Sequence, residues 1–403
     1  MQEFRSFTPR RLVLDFSLVG QDLPDEFYES HFNTLFKNVY SLVYGSFCPS
    51  DTTQAPGMHP WLREYSDAFL KYVQLVAHPD PRAGKWARLL IDKGERACLL
   101  TAMIFKILDN KVFTRLLFGA GPDHEELLNS FDAALINAEG VISTYQLRAR
   151  ANRMYLITQV PPFFWPRVDK LSTQILTLLL PVCAYAAEFK GHRPVPIREL
   201  HQALHDVVAY AGWISVHIRL ASAIFSFNWA QPGEPFSLSQ VNLCQEAYTY
   251  SREAARRHQE RLLRRKPDGR VMHSRARVKI SITPEIVRHK SVTKSTGTPG
   301  MTSYKILAPH VVYYEGLQLD SDEERAFVSL PDYIYRLREQ LCTPRGAALA
   351  IMFFVSFCLW VFLTPSGRRA WEGAWTWVYP VEGTCKADYE SMERGDTESS
   401  VGV

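Results

Sequence analysis

The chain has 403 residues, of which 46% are apolar and 22% charged, with a formal net charge of +4. That composition excludes a disordered chain, and so small a net charge does not by itself demand a nucleic-acid or other polyanionic partner. The cysteines (Cys48, Cys98, Cys183, Cys244, Cys342, Cys358 and Cys385) are odd in number, scattered and free of any C-x-x-C pair, which reads as reduced thiols of a cytosolic or nuclear compartment, not a disulfide frame or zinc site.

The opening residues, MQEFRSFTPRRLVLDF, carry Asp15 and lack a continuous apolar core, so no secretory signal is expected there. Pro24 then starts PDEFYESHFNTLFKNVYSLVYG, where Phe27, Phe32, Leu35, Phe36, Val39 and Leu42 fall at helical spacing. The loop CPSDTTQAPGMHP separates it from a helix over WLREYSDAFLKYVQLV, which HPDPR closes. Residues 84–118 predict one or two helices with a break at Gly94 and a stripe of Leu99, Leu100, Met103, Ile104 and Ile107. Pro122 and the acidic Asp123, Glu125 and Glu126 form a good first turn for the next helical pattern.

Helices over about 163–188 and 196–227 follow, joined by KGHRPVPI, and after AQPGEPFS a charged helix is expected over about 238–266. Two stretches here are rich in apolar residues. Leu171–Ala187 holds Ser172, Thr173, Gln174, Thr177 and Pro181, and Val207–Trp229 is interrupted by His217 and Arg219, so both read as helices inside a helical domain.

Beyond residue 266 the period shifts toward two. Val278, Ile280 and Ile282, then Ile306, Val311 and Val312, predict two strands or an extended clip, with SVTKSTGTPGMTS between them as a flexible loop. No fixed-period repeat is visible. The expected fold is mainly α: a multi-helix, bundle-like domain with a small extended or β element and one C-terminal transmembrane helix.

That last helix rests on GAALAIMFFVSFCLWVFL, residues 346–363, which contains no charge. Eighteen residues at 1.5 Å each give about 27 Å, close to the roughly 30 Å hydrocarbon thickness. Leu349, Ile351, Phe353, Phe354, Phe357, Leu359, Trp360 and Phe362 would face lipid, and Trp371, Trp375 and Trp377 would lie at the interface. Arg336, Arg338 and Arg345 on one side against Arg368 and Arg369 on the other favour a cytosolic N-terminal bulk. The expected domains are a helical domain over 1–250, a basic helix with an extended or β segment over 251–340, the span over 346–363, and an aromatic stretch with a disordered acidic tail over 364–403.

Two clusters could carry chemistry. His201 and His205 sit one helical turn apart in HQALHD, the spacing of a metal-binding pair, but Gln202 stands where H-E-x-x-H needs Glu and no third ligand is evident. With Leu200, Leu204, Val207, Val208 and Ala211 as the buried stripe, the two histidines read as structural or surface side chains flanking it. Between Arg252 and Lys294 there are 14 Lys/Arg against 4 Asp/Glu. Pairs at i, i+4 (Glu253 with Arg257, Glu260 with Arg264) account for part of this, and Arg256, Arg257, Arg264, Arg265 and Lys266 remain as a basic segment. It reads first as a solvated face, then as a contact for anionic lipid or nucleic acid, then as an import signal.

No G-x-S-x-G, phosphate loop or cofactor motif occurs, so neither a cofactor nor catalysis is expected. Cys342 is a candidate acylation site. The leading expectation is a membrane-anchored, non-catalytic interaction or regulatory protein whose partners are membrane lipid and a protein the sequence does not identify. The alternative is a nuclear regulatory factor that uses 252–294 for import or nucleic-acid contact, nucleic acid being the less favoured partner. A third is an enzyme whose pocket is assembled from dispersed residues.

Overall fold

In a computed structural model, residues 7–17, 22–49, 57–135, 141–156, 160–189, 193–265, 273–293, 299–342, 344–367 and 369 are described. The chain forms two compact units, Met1–Arg336 and Leu337–Val403.

The first unit is mainly α with small sheets. Helix α1 (Asp25–Phe47) places Tyr28, Phe32, Leu35, Val39, Val43 and Phe47 inside at helical intervals, and Asp25 and Glu26 suit the positive end of its dipole. A 3-10 turn (Pro60–Leu62) leads to α2 (Asp67–Val76), where Ser66 Oγ accepts from the Phe69 amide at 3.3 Å. The predicted helix over 84–118 is divided into α3 (Arg88–Ile91) and α4 (Lys93–Leu108). The division falls at Asp92, not Gly94, because the Asp92 carboxylate accepts from the Glu95 amide at 2.9 Å and starts a new helix. Helix α4 is buried along nearly its whole length and forms the centre of the core. A π turn (Asp109–Phe113) ends it, and α5 (Pro122–Leu135) and α6 (Val141–Tyr155) follow.

Helices α7 (Phe164–Ala187) and α8 (Ile197–Leu220) pack against each other and against α1. Gly119 sits at φ +85°, and a Cβ there would lie 2.7 Å from the Phe164 backbone, so the approach to α7 requires glycine. Among the described residues, α7 alone is long and apolar enough to cross a membrane by length and composition. Core helices pass the same test, and Phe164, Val168, Leu171, Ile175, Leu176, Leu179 and Val182 of α7 are buried in the unit.

The helix expected to reach residue 227 stops at Leu220, and Ile224–Asn228 is strand β1. Its apolar residues continue a helical-looking run, but β1 pairs antiparallel with β4 (Glu285–Thr293), which in turn pairs with β5 (Pro299–Leu307). Likewise Val241–Asn242 is a short strand, β2, and the charged helix begins later, as α9 (Gln245–Arg265). β2 pairs parallel with β6 (His310–Leu317), whose other side takes β3 (Ser274–Ser281) antiparallel. Among the described residues the β element is therefore two three-stranded sheets and not two strands. SVTKSTGTPGMTS is mostly hairpin: Ser291 pairs with Met301 and Thr293 with Pro299, while 294–298 lie outside the described residues.

Buried ion pairs fasten these layers. Lys279 on β3 donates to Glu95 of α4 at 2.7 Å, and Glu95 also accepts from Arg88 at 3.0 Å. Arg288 on β4 is fully buried, bonded to Asp22 at 2.9 Å and Asp25 at 2.8 Å, and lies 4.7 Å over the Tyr28 ring. Helices α10 (Asp320–Ala326) and α11 (Leu330–Cys342) follow β6. The second unit contains α12 (Pro344–Leu363).

Candidate functional site

Helix α12 covers the uncharged run. Its side chains from Met352 onward are described, and Phe353, Phe354, Phe357, Leu359, Trp360 and Phe362 are all exposed, as are Met352, Val355 and Leu363. At 100° per residue these positions point to most sides of the axis, while Val361 is buried and Cys358 half-buried, so packing covers only a narrow strip of the helix. Phe353 is 73% exposed and even Trp360 is 43% exposed. Past Leu363, Thr364 Oγ1 donates to the Trp360 carbonyl at 2.6 Å and the chain folds back so closely that a Cβ on Gly367 would collide with that carbonyl. The described apolar part, Met352–Leu363, is by itself shorter than a membrane span. The side chains of Leu349, Ile351 and Cys342, and the whole of Trp371, Trp375 and Trp377, lie outside the described residues.

The His201/His205 pair, read from the sequence as structural or surface side chains, is buried inside the first unit. His205 Nε2 lies 3.0 Å from Asp169 and its ring stacks on Trp165, while His201 Nε2 lies 3.4 Å from Ser172 and Thr173 hydroxyls. The reason is tertiary: α7 covers the side of α8 on which they stand, and the N-terminal segment crosses it, with Gln202 bonded to the amide and carbonyl of Arg10. Among the described residues no three His, Cys, Asp or Glu side chains converge as a metal set.

The basic segment lies on α9. Ala247, Ser251 and Ala255, spaced by four, are its buried stripe against β6, and their small size lets the helix approach closely. After Ala255 no residue of α9 is buried, so its last turns project from the body with Arg256, Arg257, Arg264 and Arg265 exposed. Lys266 lies outside the described residues. Arg257 pairs with Glu253 at 3.6 Å as expected, but Glu260 pairs backward with Arg256 at 3.8 Å instead of forward with Arg264. Exposed pairs of this length contribute little. The surface also recruits Arg82, from the loop before α3, together with Arg252 and Arg261. Nothing in HPDPR marked Arg82, since only the fold brings that loop beside α9.

A third cluster occupies a cleft of about 470 Å³ lined by His78, Gly233, Arg277, Asp320, Glu323 and Phe327, among others. Arg277 donates to Asp320 at 2.7 Å and to the carbonyls of Leu317 and Gly233 at 2.9 Å each. Tyr314 donates to Glu323, which also accepts from the Leu317 amide at 2.7 Å. Burial pushes the Tyr314 hydroxyl far up and His78 down, the latter opposed by the Glu323 charge. These groups satisfy one another and tie α10 to β3 and β6. No Ser, Cys or Lys stands among the cleft's described lining. A covalent nucleophile of those types is therefore lacking there.

The thiols of Cys48, Cys98 and Cys244 are buried, and burial raises the pKa of each. They are poor nucleophiles for that reason. Burial also lowers His217, on α8, to about 4, with the nearby His31 charge acting the same way and Asp15 opposing. The folded state then keeps this ring neutral while the unfolded chain protonates it near 6.5. Its contribution to stability is fully present above about pH 6.5 and is lost as pH falls toward 4, up to about 3 kcal/mol. Urea titrations across that window should show the decline, and His217→Gln should flatten it. An equally steep decline in the variant would exclude His217 as the source.

Compared with family models, with curated proteins and with solved structures, the chain matches none.

Proposed function

We propose that this chain is a membrane-anchored interaction or regulatory protein, with α12 in the bilayer and the first unit as a cytosolic, non-catalytic body. The observation that carries the reading is the exposure of large apolar side chains on most sides of the helix from Met352 to Leu363, Val361 being the buried exception. Each such residue left in water forgoes about 1.5–3 kcal/mol of burial, and a hydrocarbon phase is the surrounding that covers every side of one helix. The uncharged run begins at Gly346, so with its first residues the helix nears bilayer thickness. The arginines at 336, 338 and 345 favour the cytosolic side for the body. Alkaline carbonate extraction tests the anchor: the full chain should stay with the membrane pellet, and recovery in the supernatant would overturn it.

The second reading, a nuclear regulatory factor, is favoured by the projecting arginines of α9. A tagged chain lacking residues 341–403 separates the two. Nuclear accumulation that disappears when Arg256, Arg257, Arg264 and Arg265 become Gln would support import, and a diffuse cytosolic signal in both would count against it.

A further inference from the structure

The loop at residues 80–85 and helix α9 enclose two adjoining grooves that share Arg82. The first, about 480 Å³, is lined by Arg82, Tyr250, Arg257, Arg261, Arg264 and Glu260, among others. The second, about 590 Å³, adds Arg252, Arg256 and His258, with Glu253 and Glu315. Both volumes suit a small ligand or a lipid headgroup.

The groove is preformed. Asp80 Oδ1 accepts from the amides of Arg82 at 2.9 Å and Ala83 at 3.0 Å, and its Oδ2 accepts from Ser251 of α9 at 2.5 Å. Gly84 at φ +86° and Lys85 at φ +51° then turn the loop along the helix. Arg88 lies 3.6 Å over the Tyr250 ring and holds the groove's aromatic wall.

Its charge is not balanced from within. Glu253 and Glu260 are already engaged with Arg257 and Arg256. Glu315 accepts from Ser274 at 2.5 Å through Oε1, while its Oε2 is buried without a donor, so three carboxylates stand against six arginines in the described lining. Among the described residues Arg82, Arg261 and Arg264 have no ion pair, and Arg82 Nη2 is buried with no hydrogen-bond acceptor. His258 carries the mark of this field: burial lowers its pKa, and the charges of Arg82 and Arg261 lower it further. A buried guanidinium nitrogen without an acceptor is costly, and an oxyanion would satisfy it.

We propose that this groove binds the phosphate-bearing headgroup of an anionic phospholipid, as a membrane contact additional to α12. The proposal rests on the anchor reading, which puts the body beside a bilayer. The shared chemistry is a phosphate held by converging guanidinium groups. A lipid source is favoured over a nucleic acid by two features. Tyr250 is the one Phe, Tyr or Trp in the described lining of the two grooves, and its ring is already covered by Arg88, which leaves His258 as the remaining ring for a base to stack on. At the projecting end of α9, Leu262 and Leu263 stand between Arg261 and Arg264, the mix of cations and apolar side chains that suits a membrane surface.

The test uses the full chain in nanodiscs of phosphatidylcholine, with or without phosphatidylserine or a phosphoinositide, read by hydrogen exchange over 80–88 and 249–265. Anionic lipid should slow exchange there on the order of tenfold. The effect should vanish in Arg82→Gln/Arg261→Gln/Arg264→Gln and largely persist when the same residues become Lys, which keeps the charge. Equal exchange in neutral and anionic discs, or protection retained in the Gln variant, would overturn the proposal. Protection by soluble inositol phosphate or duplex DNA but not by lipid would overturn the lipid source. Failure of the anchor is seen separately: a chain that leaves the discs refutes the anchor reading, whereas one that stays without protection refutes only the headgroup site.

Discussion

Replacing Phe354 and Leu359 together by arginine should release the full chain from the membrane. Both side chains are exposed near the middle of the apolar run. On insertion scales a central arginine costs about 2.5–3.5 kcal/mol, against a gain of only a few tenths for each Phe or Leu it replaces. Two of them offset much of what one apolar helix of this length gains from hydrocarbon. The expected readout is a shift of the double variant from the carbonate-resistant pellet to the supernatant, with the thermal unfolding of the first unit unchanged. If the variant stays in the pellet as firmly as the parent chain, α12 is not what holds the protein there. Replacing the same two residues by alanine is a useful contrast, because it shortens the side chains without bringing charge into the bilayer and should leave most of the chain in the pellet.

The other large effect is expected at Lys279. Its ammonium is 1% exposed and its partner Glu95 is fully buried, so the pair was taken out of water together. Lys279→Met leaves the Glu95 carboxylate with Arg88 alone, and removal of one member of such a pair costs about 3–5 kcal/mol. Double replacement, Lys279→Met with Glu95→Leu, should cost less than the single change. No buried carboxylate then remains without its partner, and Arg88 keeps Asp92 at 2.8 Å. Chemical denaturation of the three proteins measures this directly. A double variant as unstable as the sum of its single variants would mean that the two side chains act independently and that the ion pair is not what joins β3 to α4.

The residue order by itself determined the helical elements whose apolar periodicity is strong. Helices α1 and α7 lie within a residue or two of where their patterns placed them, because an amphipathic stripe bounded by Pro or Gly is a local property. It also determined the basic character of α9 and the uncharged run in α12. The tertiary structure decided what depends on partners distant in the chain. Ile224–Asn228 is a strand because β4, some 60 residues later, offers a free ladder, and its short apolar run could have continued a helix equally well. His201 and His205 are interior because α7 and residues near Arg10 cover them. Arg82 is brought to the arginines of α9 by contacts such as the Asp80–Ser251 hydrogen bond across 171 residues, which no local pattern encodes. Local periodicity fixes which face of an element is apolar, but the identity of the neighbour that covers it, and the side chains gathered at its edge, follow from chain closure over long sequence separations.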